Sequence, residues 1–461
     1  MRTKNPILVP ELREILAAGK KEILEEFCRS SHPAVVAELI CALEGDEVWS
    51  VLTHADQSLR ADIFSHLDED LQKEIVGRLD RREIADLFTA MSPDDRADLF
   101  KELPEELRDT VLPALAQAER EDVRKLAAFE EGTAGAVMTS DYATIPPHLT
   151  ASQAIEHLRQ IAPDKETIYY AYVVDDDRKL LGFVSLKDLI VARRNTKVED
   201  IMQPEVIFAR VGDDQEDAAR KIQKYDLLAL PVINGGDALV GIITHDDAID
   251  IITQEYTEDM EKFMAISGSH EDAVYMKMSI WEHFRNRCPW VIALAVLGMV
   301  SGFIVQSFEG LLTQFAVLAA FMPMLADTGG NTGSQSATLV VRALALKEVS
   351  PRDILKILAR EFRISLLLAI LLGVIAFGRV VLFGGGSNIS DTASLVRIGI
   401  AISFALGLQV ITSTLVGALL PLGAARMKWD PAVVASPALT TIVDITGLLI
   451  YFSIAKMFLG I

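Results

Sequence analysis

Charge is segregated along this 461-residue chain more sharply than a single soluble core allows. Residues 1–279 carry 31 Lys and Arg against 56 Asp and Glu, whereas residues 280–461 carry 13 against 9. The formal net charge of −21 is therefore −25 in the first part and +4 in the second. A surface helix of a soluble protein keeps a polar face, so a second part this poor in charge calls for lipid as its solvent. The first part is soluble and acidic. That excludes a nucleic-acid partner, whose binding replaces counterions with Lys and Arg. Cys28, Cys41 and Cys288 show no CxxC spacing, so neither a zinc site nor a disulfide framework is expected. The opening MRTKNPILVPELREIL has no apolar run of signal-peptide type.

A helix needs roughly 20 apolar residues to cross a bilayer. Five segments approach this: Val291–Phe308, Gly310–Val341, Ile364–Phe383, Ile398–Ala425 and Pro431–Ala455. Basic residues alternate between their flanks. Lys277, Arg285 and Arg287 precede the first span, and Lys347, Arg352, Lys356 and Arg360 follow the second. Arg426 and Lys428 follow the fourth, while Gln306–Gln314 and Gly384–Leu395 have none. The positive-inside rule then predicts a cytoplasmic N-terminus, five spans in the cell membrane and an outer C-terminus.

Ionisable groups at membrane depth are costly and tend to be functional. Two acids lie there. Asp327 opens the run DTGGNTGSQ after Pro323, and its glycines mean a broken or a closely packed helix. Asp444 follows Thr440 by one turn, on the same helix face. Carboxylates among amide, hydroxyl and carbonyl oxygens, without His or Cys, suit a hard cation such as Mg²⁺ or Ca²⁺. A secondary divalent-cation transporter, with the same two acids as H⁺ or Na⁺ relays, is the alternative.

Pro33–Phe129 reads as a string of short amphipathic helices with acidic starts at Asp68-Glu69-Asp70, Ser92-Pro93-Asp94 and Pro104-Glu105-Glu106. Such a string builds a helical superhelix. An internal repeat follows. Val137-Met138, Ala171–Asp175, Leu181–Ser185 and Asp188 recur as Ile201-Met202, Leu230–Ile233, Val240–Thr244 and Asp247. The order is strand, helix, two strands, helix, with Gly182 and Gly241 read as turns. This pair, over about Val137–Ile252, resembles tandem CBS domains. A helix crowded with carboxylates, Asp246 to Asp259, leads from it toward the first span. Like charges there oppose close packing until divalent cations neutralise them.

In this order of parts the whole chain resembles the MgtE family of magnesium transporters, most specifically at Pro323–Gln335 (PMLADTGGNTGSQ) and Pro431–Ile450 (PAVVASPALTTIVDITGLLI). The resemblance implies a multidomain protein. Its parts are an α-helical superhelix over 1–132, an α/β tandem CBS pair over 133–253, an acidic connecting plug helix over 254–280, and an all-α five-helix transmembrane channel domain over 281–461. It implies a homodimer in membrane lipid, Mg²⁺-selective at the dimer axis and shut by intracellular Mg²⁺. By position, Asp444 is the central pore residue, Thr440 lies a turn away, Asn331 faces the same path and Asp430 sits near the cytoplasmic mouth. Asp327 joins them as the other acid at membrane depth. Sensor carboxylates fall at Asp62, Asp94, Asp98, Glu216, Asp226, Asp247, Asp250, Glu255, Glu258 and Asp259, with main-chain ligands at Ala136 and Gln223. Tyr170, Lys187 and Asp188 fall where an ATP-binding CBS pair holds its nucleotide. No nucleophile elbow and no GxxxxGK[ST] loop is present, so no enzyme is expected.

Overall fold

The computed structural model describes residues 8–264, 266, 278–383, 392–431 and 437–460. Lys277, most of the loop without basic residues at Gly384–Leu395, and residues 432–436 of the second motif lie outside them. The chain forms two compact units, Met1–Thr253 and Gln254–Ile461.

The first unit opens with α1 (Val9–Ala17), α2 (Lys21–Ser30), α3 (Pro33–Ile40), α4 (Gly45–Leu52), α5 (Gln57–Ser65), α6 (Glu69–Val76), α7 (Arg81–Ala90), α8 (Pro93–Glu102), α9 (Glu105–Ala114) and α10 (Gln117–Leu126). Each starts 12 residues after the one before. Helices this short are not stable alone. From α3 onward each packs on the next but one, α3 on α5, α5 on α7 and α6 on α8, which generates the expected superhelix. Val48, Ile63, Phe64, Ile75, Leu87 and Phe88 form part of its core. Side-chain caps occur at Asp56, which accepts from the Leu59 amide, and at Asp80, which accepts from the Arg82 and Glu83 amides, whereas the expected starts at Ser92 and Pro104 make none. Helix ends are satisfied by a second device. Arg60 donates to Leu52 O (3.1 Å) and Ala55 O (3.1 Å), and Gln72 to Phe64 O (3.0 Å) and Leu67 O (3.1 Å). Arg96 donates to Met91 O (2.8 Å), Arg108 to Leu103 O (2.7 Å) and Arg120 to Leu112 O (2.9 Å). One side chain per step thus caps carbonyls at or beyond the end of the preceding helix. The device runs from α5 onward with buried Ile84 as its one gap, and the same place in α2, α3 and α4 holds buried Leu24, Val36 and Val48.

The repeat follows as β1 (Tyr142–Ile145), α11 (Ala151–Ile161), β2 (Thr167–Val174), β3 (Leu180–Ser185) and α12 (Leu186–Val191), then β4 (Ala209–Arg210), α13 (Gln215–Tyr225), β5 (Ala229–Ile233), β6 (Leu239–Thr244) and α14 (His245–Phe263). In both three-stranded sheets the first strand runs parallel to the second and the second antiparallel to the third. Gly182 and Gly241 are strand residues rather than turns. A Cβ on Gly241 would overlap Met138, and one on Gly182 would meet Gln203 O and the Met202 sulfur. The recurring Met and Gly are therefore two halves of one contact, repeated. Tyr142 Oη donates to Leu239 O (2.9 Å) and Tyr172 Oη to Ala229 O (3.3 Å), tying the sheets together. Ala97 and Leu126 share a core with Leu230, Val232 and Ile243, so the array packs on the second repeat.

The second unit contains α15 (Ile280–Ser307), α16 (Glu309–Gln314), α17 (Met322–Ala345), α18 (Ile354–Phe383), α19 (Thr392–Arg426) and, in this numbering, α20 (Pro437–Leu459). α15, α18, α19 and α20 are long and apolar enough to cross a membrane. The more polar α17, with 24 residues, spans about 36 Å at 1.5 Å per residue. α19 is the hub, packed on α17, α18 and α20. Tyr451 Oη donates to Leu318 O (2.8 Å), and Phe308 stacks on Phe452 at 4.7 Å.

Candidate cation path and acidic sensor cluster

α17 is unbroken from Met322 to Ala345, so its glycines serve close packing. Gly329, Gly330, Gly333, Ser336 and Ala337 are buried on one side. A Cβ on Gly330 would come within 3.2 Å of the Thr440 methyl, and one on Gly417 would overlap the Gly333 backbone. The stripe thus brings α19 and α20 against α17 at backbone distance. Its other side carries Asp327 and Asn331, both exposed, with Asn331 Nδ2 donating to Asp327 Oδ1 (3.2 Å).

On α20, Thr440 is exposed and Asp444 half-buried. Asp444 Oδ1 is fully buried with no hydrogen-bond partner among the described residues. A buried acceptor without a donor is rare and calls for a reason; an ion or its water shell supplies one. Ala337, Leu439 and Val443 form one cluster, so the helices bearing Asn331 and Asp444 lie side by side. Glu361 escaped the sequence reading because Arg360 and Arg363 flank it like loop residues. It is buried between α18 and α17 and accepts from Ser336 Oγ (2.8 Å).

Near the start of this unit, Phe263 of α14 packs on the Ala337–Leu439–Val443 cluster. Lys262 lies between two residues read as cation ligands, at 2.5 Å from Glu258 and 3.1 Å from Asp430. Partial burial works against the Lys262 charge, but its hydrogen bonds to Glu258 and Asp430 outweigh this and push it up to about 12.

In the first unit a second cluster gathers on α8, α14 and the approach to β2. Burial holds the Asp94 carboxyl well above the usual range, and Asp95, Asp247 and Glu166 add to this. Asp94 Oδ1 is buried without a partner among the described residues. Burial likewise pushes Asp247 up to about 6, opposed by the hydrogen bond from Thr244 Oγ1 (2.5 Å) and reinforced by Asp246 and Asp95. Glu166 is pushed up to about 7 by partial burial and then by Asp247, Asp246, Asp95 and Asp141. Two bases reach this group: Lys165 pairs with Asp141 at 3.3 Å, and Arg96 lies near Asp94, Asp122 and Asp141. Glu166 and Asp141 were not singled out from sequence, being ordinary members of an acidic surface, while Asp95 and Asp246 stood out only as parts of acidic helix starts. Among the described residues no three His, Cys, Asp or Glu side chains converge on a ready-made metal site.

The remaining expected ligands are dispersed. Asp62 and Asp98 are exposed on α5 and α8, and Asp98 pairs with Lys101 at 2.9 Å. Glu216 pairs with Arg220, and Gln223 is exposed. Asp226 ends α13 in the left-handed region at φ 52°, and Ala136 is buried. Along α14, Asp250 is exposed while Glu255 and Asp259 are half-buried. At the first CBS repeat, Ser185 caps α12, its Oγ donating to Asp188 Oδ2 (2.6 Å). Thr244 and Asp247 repeat that pairing in the second. Tyr170 packs edge-on against Phe183 at 5.4 Å, and Lys187 is exposed.

A family model described as a divalent cation transporter matches residues 322–454; the MgtE intracellular N domain matches 31–132, and CBS domains match 134–195 and 198–254. Fold and matches define a membrane transporter of divalent cations with an MgtE N domain and a CBS pair. The magnesium transporter MgtE of Thermus thermophilus is 37% identical over 98% of this chain and 98% of its own length. That of Bacillus subtilis is 36% identical over 76% and 74%. The chain belongs to the MgtE family of magnesium transporters, and is a transporter rather than an enzyme. The crystal structure of the soluble part of a magnesium transporter is similar at a TM-score of 0.51 and 33% identity, covering 53% of this chain and 97% of that one.

Proposed function

We propose that this chain forms a Mg²⁺-selective channel whose path runs past Asp444, and that intracellular Mg²⁺ shuts it. The observation that carries the reading is the buried, unpartnered Asp444 Oδ1 on a helix packed against the one bearing Asp327 and Asn331. Mg²⁺ dehydrates reluctantly, so a filter suited to it meets the hydrated ion through outer-sphere hydrogen bonds. Carboxylate, amide and hydroxyl oxygens can orient those waters. Asp327, Asn331 and Thr440 are exposed on a single chain, and polar groups at membrane depth need water or protein beside them. A homodimer that sets this face around its axis meets that need. The N-terminus is then cytoplasmic and the C-terminus outside.

The sensor is the carboxylate surface built by Asp94, Asp247 and their neighbours, with Glu255, Glu258 and Asp259 farther along α14. Because no side-chain trio is preformed among the described residues, several weak sites fit better than one tight one. At millimolar free Mg²⁺ each contributes RT ln(1 + [L]/Kd) to the compact state. The Tyr170–Lys187–Asp188 group of the first CBS repeat would take ATP, the acid toward the ribose and Lys187 toward phosphate. The domain limits 1–132, 133–253, 254–280 and 281–461 belong to the same proposal.

Asp444→Ala is expected to abolish rescue of a Mg²⁺-auxotrophic host on low Mg²⁺ at normal expression. Full rescue would remove Asp444 from the path. Mg²⁺ entry into proteoliposomes that carries protons with it would favour the coupled transporter instead.

A further inference from the structure

We propose that Gln409 is a positioning residue for the cation path, its amide pinning the peptide that carries Asp444 against α17. The proposal rests on the reading of Asp444 as the path's acid. Gln409 lies in α19 and is completely buried. Its Nε2 donates to Val443 O at 3.1 Å. That carbonyl belongs to the peptide unit whose nitrogen is that of Asp444, so holding it fixes the plane from which the Asp444 side chain departs. The Thr446 hydroxyl donates to the same oxygen at 3.2 Å.

The amide reaches this carbonyl because two glycines leave room for it. A Cβ on either Gly329 or Gly447 would overlap the Gln409 amide. Gly329 lies on α17 between Asp327 and Asn331, and Gly447 follows Asp444 by three residues. One side chain is therefore wedged between the backbones bearing both acids and the asparagine. Packing alone does not account for an amide here. Gln409 Oε1 is buried with no partner among the described residues, a penalty that Met or Leu of similar size would avoid. The retained cost fits a need for geometry, since a binding constellation must be held to within about 0.5 Å.

The test uses the full chain in planar bilayers, reading both the Mg²⁺ current and the Mg²⁺-to-Na⁺ permeability ratio from reversal potentials. Gln409→Met keeps the volume and removes the hydrogen bond. It is expected to conduct with the ratio lowered about tenfold, roughly the worth of one hydrogen bond. Gly447→Ala, which displaces the amide and leaves Gln409 in place, should lower it similarly and serves if the first variant fails to fold. The double variant Gln409→Ala with Gly447→Ala restores fit without the bond. If it regains the wild-type ratio, the role is packing and the proposal is overturned, as it is if Gln409→Met alone keeps that ratio. Asp444→Asn, run beside them, separates the two failures: undiminished Mg²⁺ current there removes the path reading itself.

Discussion

A buried carboxylate among other carboxylates tends to keep its proton, and this governs the Asp94 neighbourhood. Asp94, Asp247 and Glu166 all stand above their ordinary values, the last two at about 6 and about 7. Unfolded, such groups titrate near 4 to 4.5. Raised folded values mean that, as pH rises, the unfolded chain sheds protons first. For Asp247 and Glu166 the penalty is absent below about pH 4, grows through the window up to about 7, and is fully present above it. In Mg²⁺-free buffer the cytosolic unfolding temperature of the full chain should therefore rise as pH falls from about 7.5 to about 5.5. Asp94→Asn should raise it by about 2–4 °C at the upper pH, about 1 kcal/mol in a unit of this size, and flatten the profile. An unchanged profile in the variant would show that Asp94 is not under this strain. At this scale the sequence was legible only where a residue broke its local pattern. Asp444 stands out as a charge in an apolar run. Glu166 does not, because it is one acid among many, and uncharged Gln409 is invisible to a count of charges within spans. Both acquire meaning only from neighbours distant in the chain.

Among elements, apolar length foretold the membrane helices, and the order strand, helix, two strands, helix was plain in the repeat. The role of glycine was harder to read. Gly182 and Gly241 suggested turns but sit in strands, because what crosses them, Met202 and Met138, comes from outside each strand pair. On α17 a break and tight packing would leave the same letters. The unbroken helix and the approach of Gly417 to the Gly333 backbone distinguish them. Adding a methyl at such a crossing forces the helices apart at about 1–3 kcal/mol. Gly417→Ala should accordingly lower the unfolding temperature of the membrane unit in detergent. Gly423→Ala should not, since a Cβ at Gly423 meets nothing within 4 Å. Equal effects of the two would mean that the Gly333–Gly417 crossing is not tight.

For the molecule as a whole, the split between −25 and +4 separates the acidic domains from the helices long and apolar enough to cross a membrane. A diffuse acidic surface without preformed chelation should respond to Mg²⁺ gradually, across the millimolar range. It should respond in part to monovalent salt, which screens charges lying more than about 8–10 Å apart. Limited proteolysis of the full chain is the measurement. Mg²⁺ should protect residues 1–253, high NaCl should protect them partially, and cleavage unaffected by either would leave the acidity as ordinary solvation. The helical array adds a consequence for how such a chain can change over generations. Its helices start every 12 residues, and most are fastened to the one before by a single side chain at a fixed place in the step. Gaining or losing 12 residues would return every downstream clasp to its partner, whereas gaining or losing one would unfasten them all. Length in this region is counted in whole steps, and a sister chain with a longer or shorter array should differ by a multiple of that step.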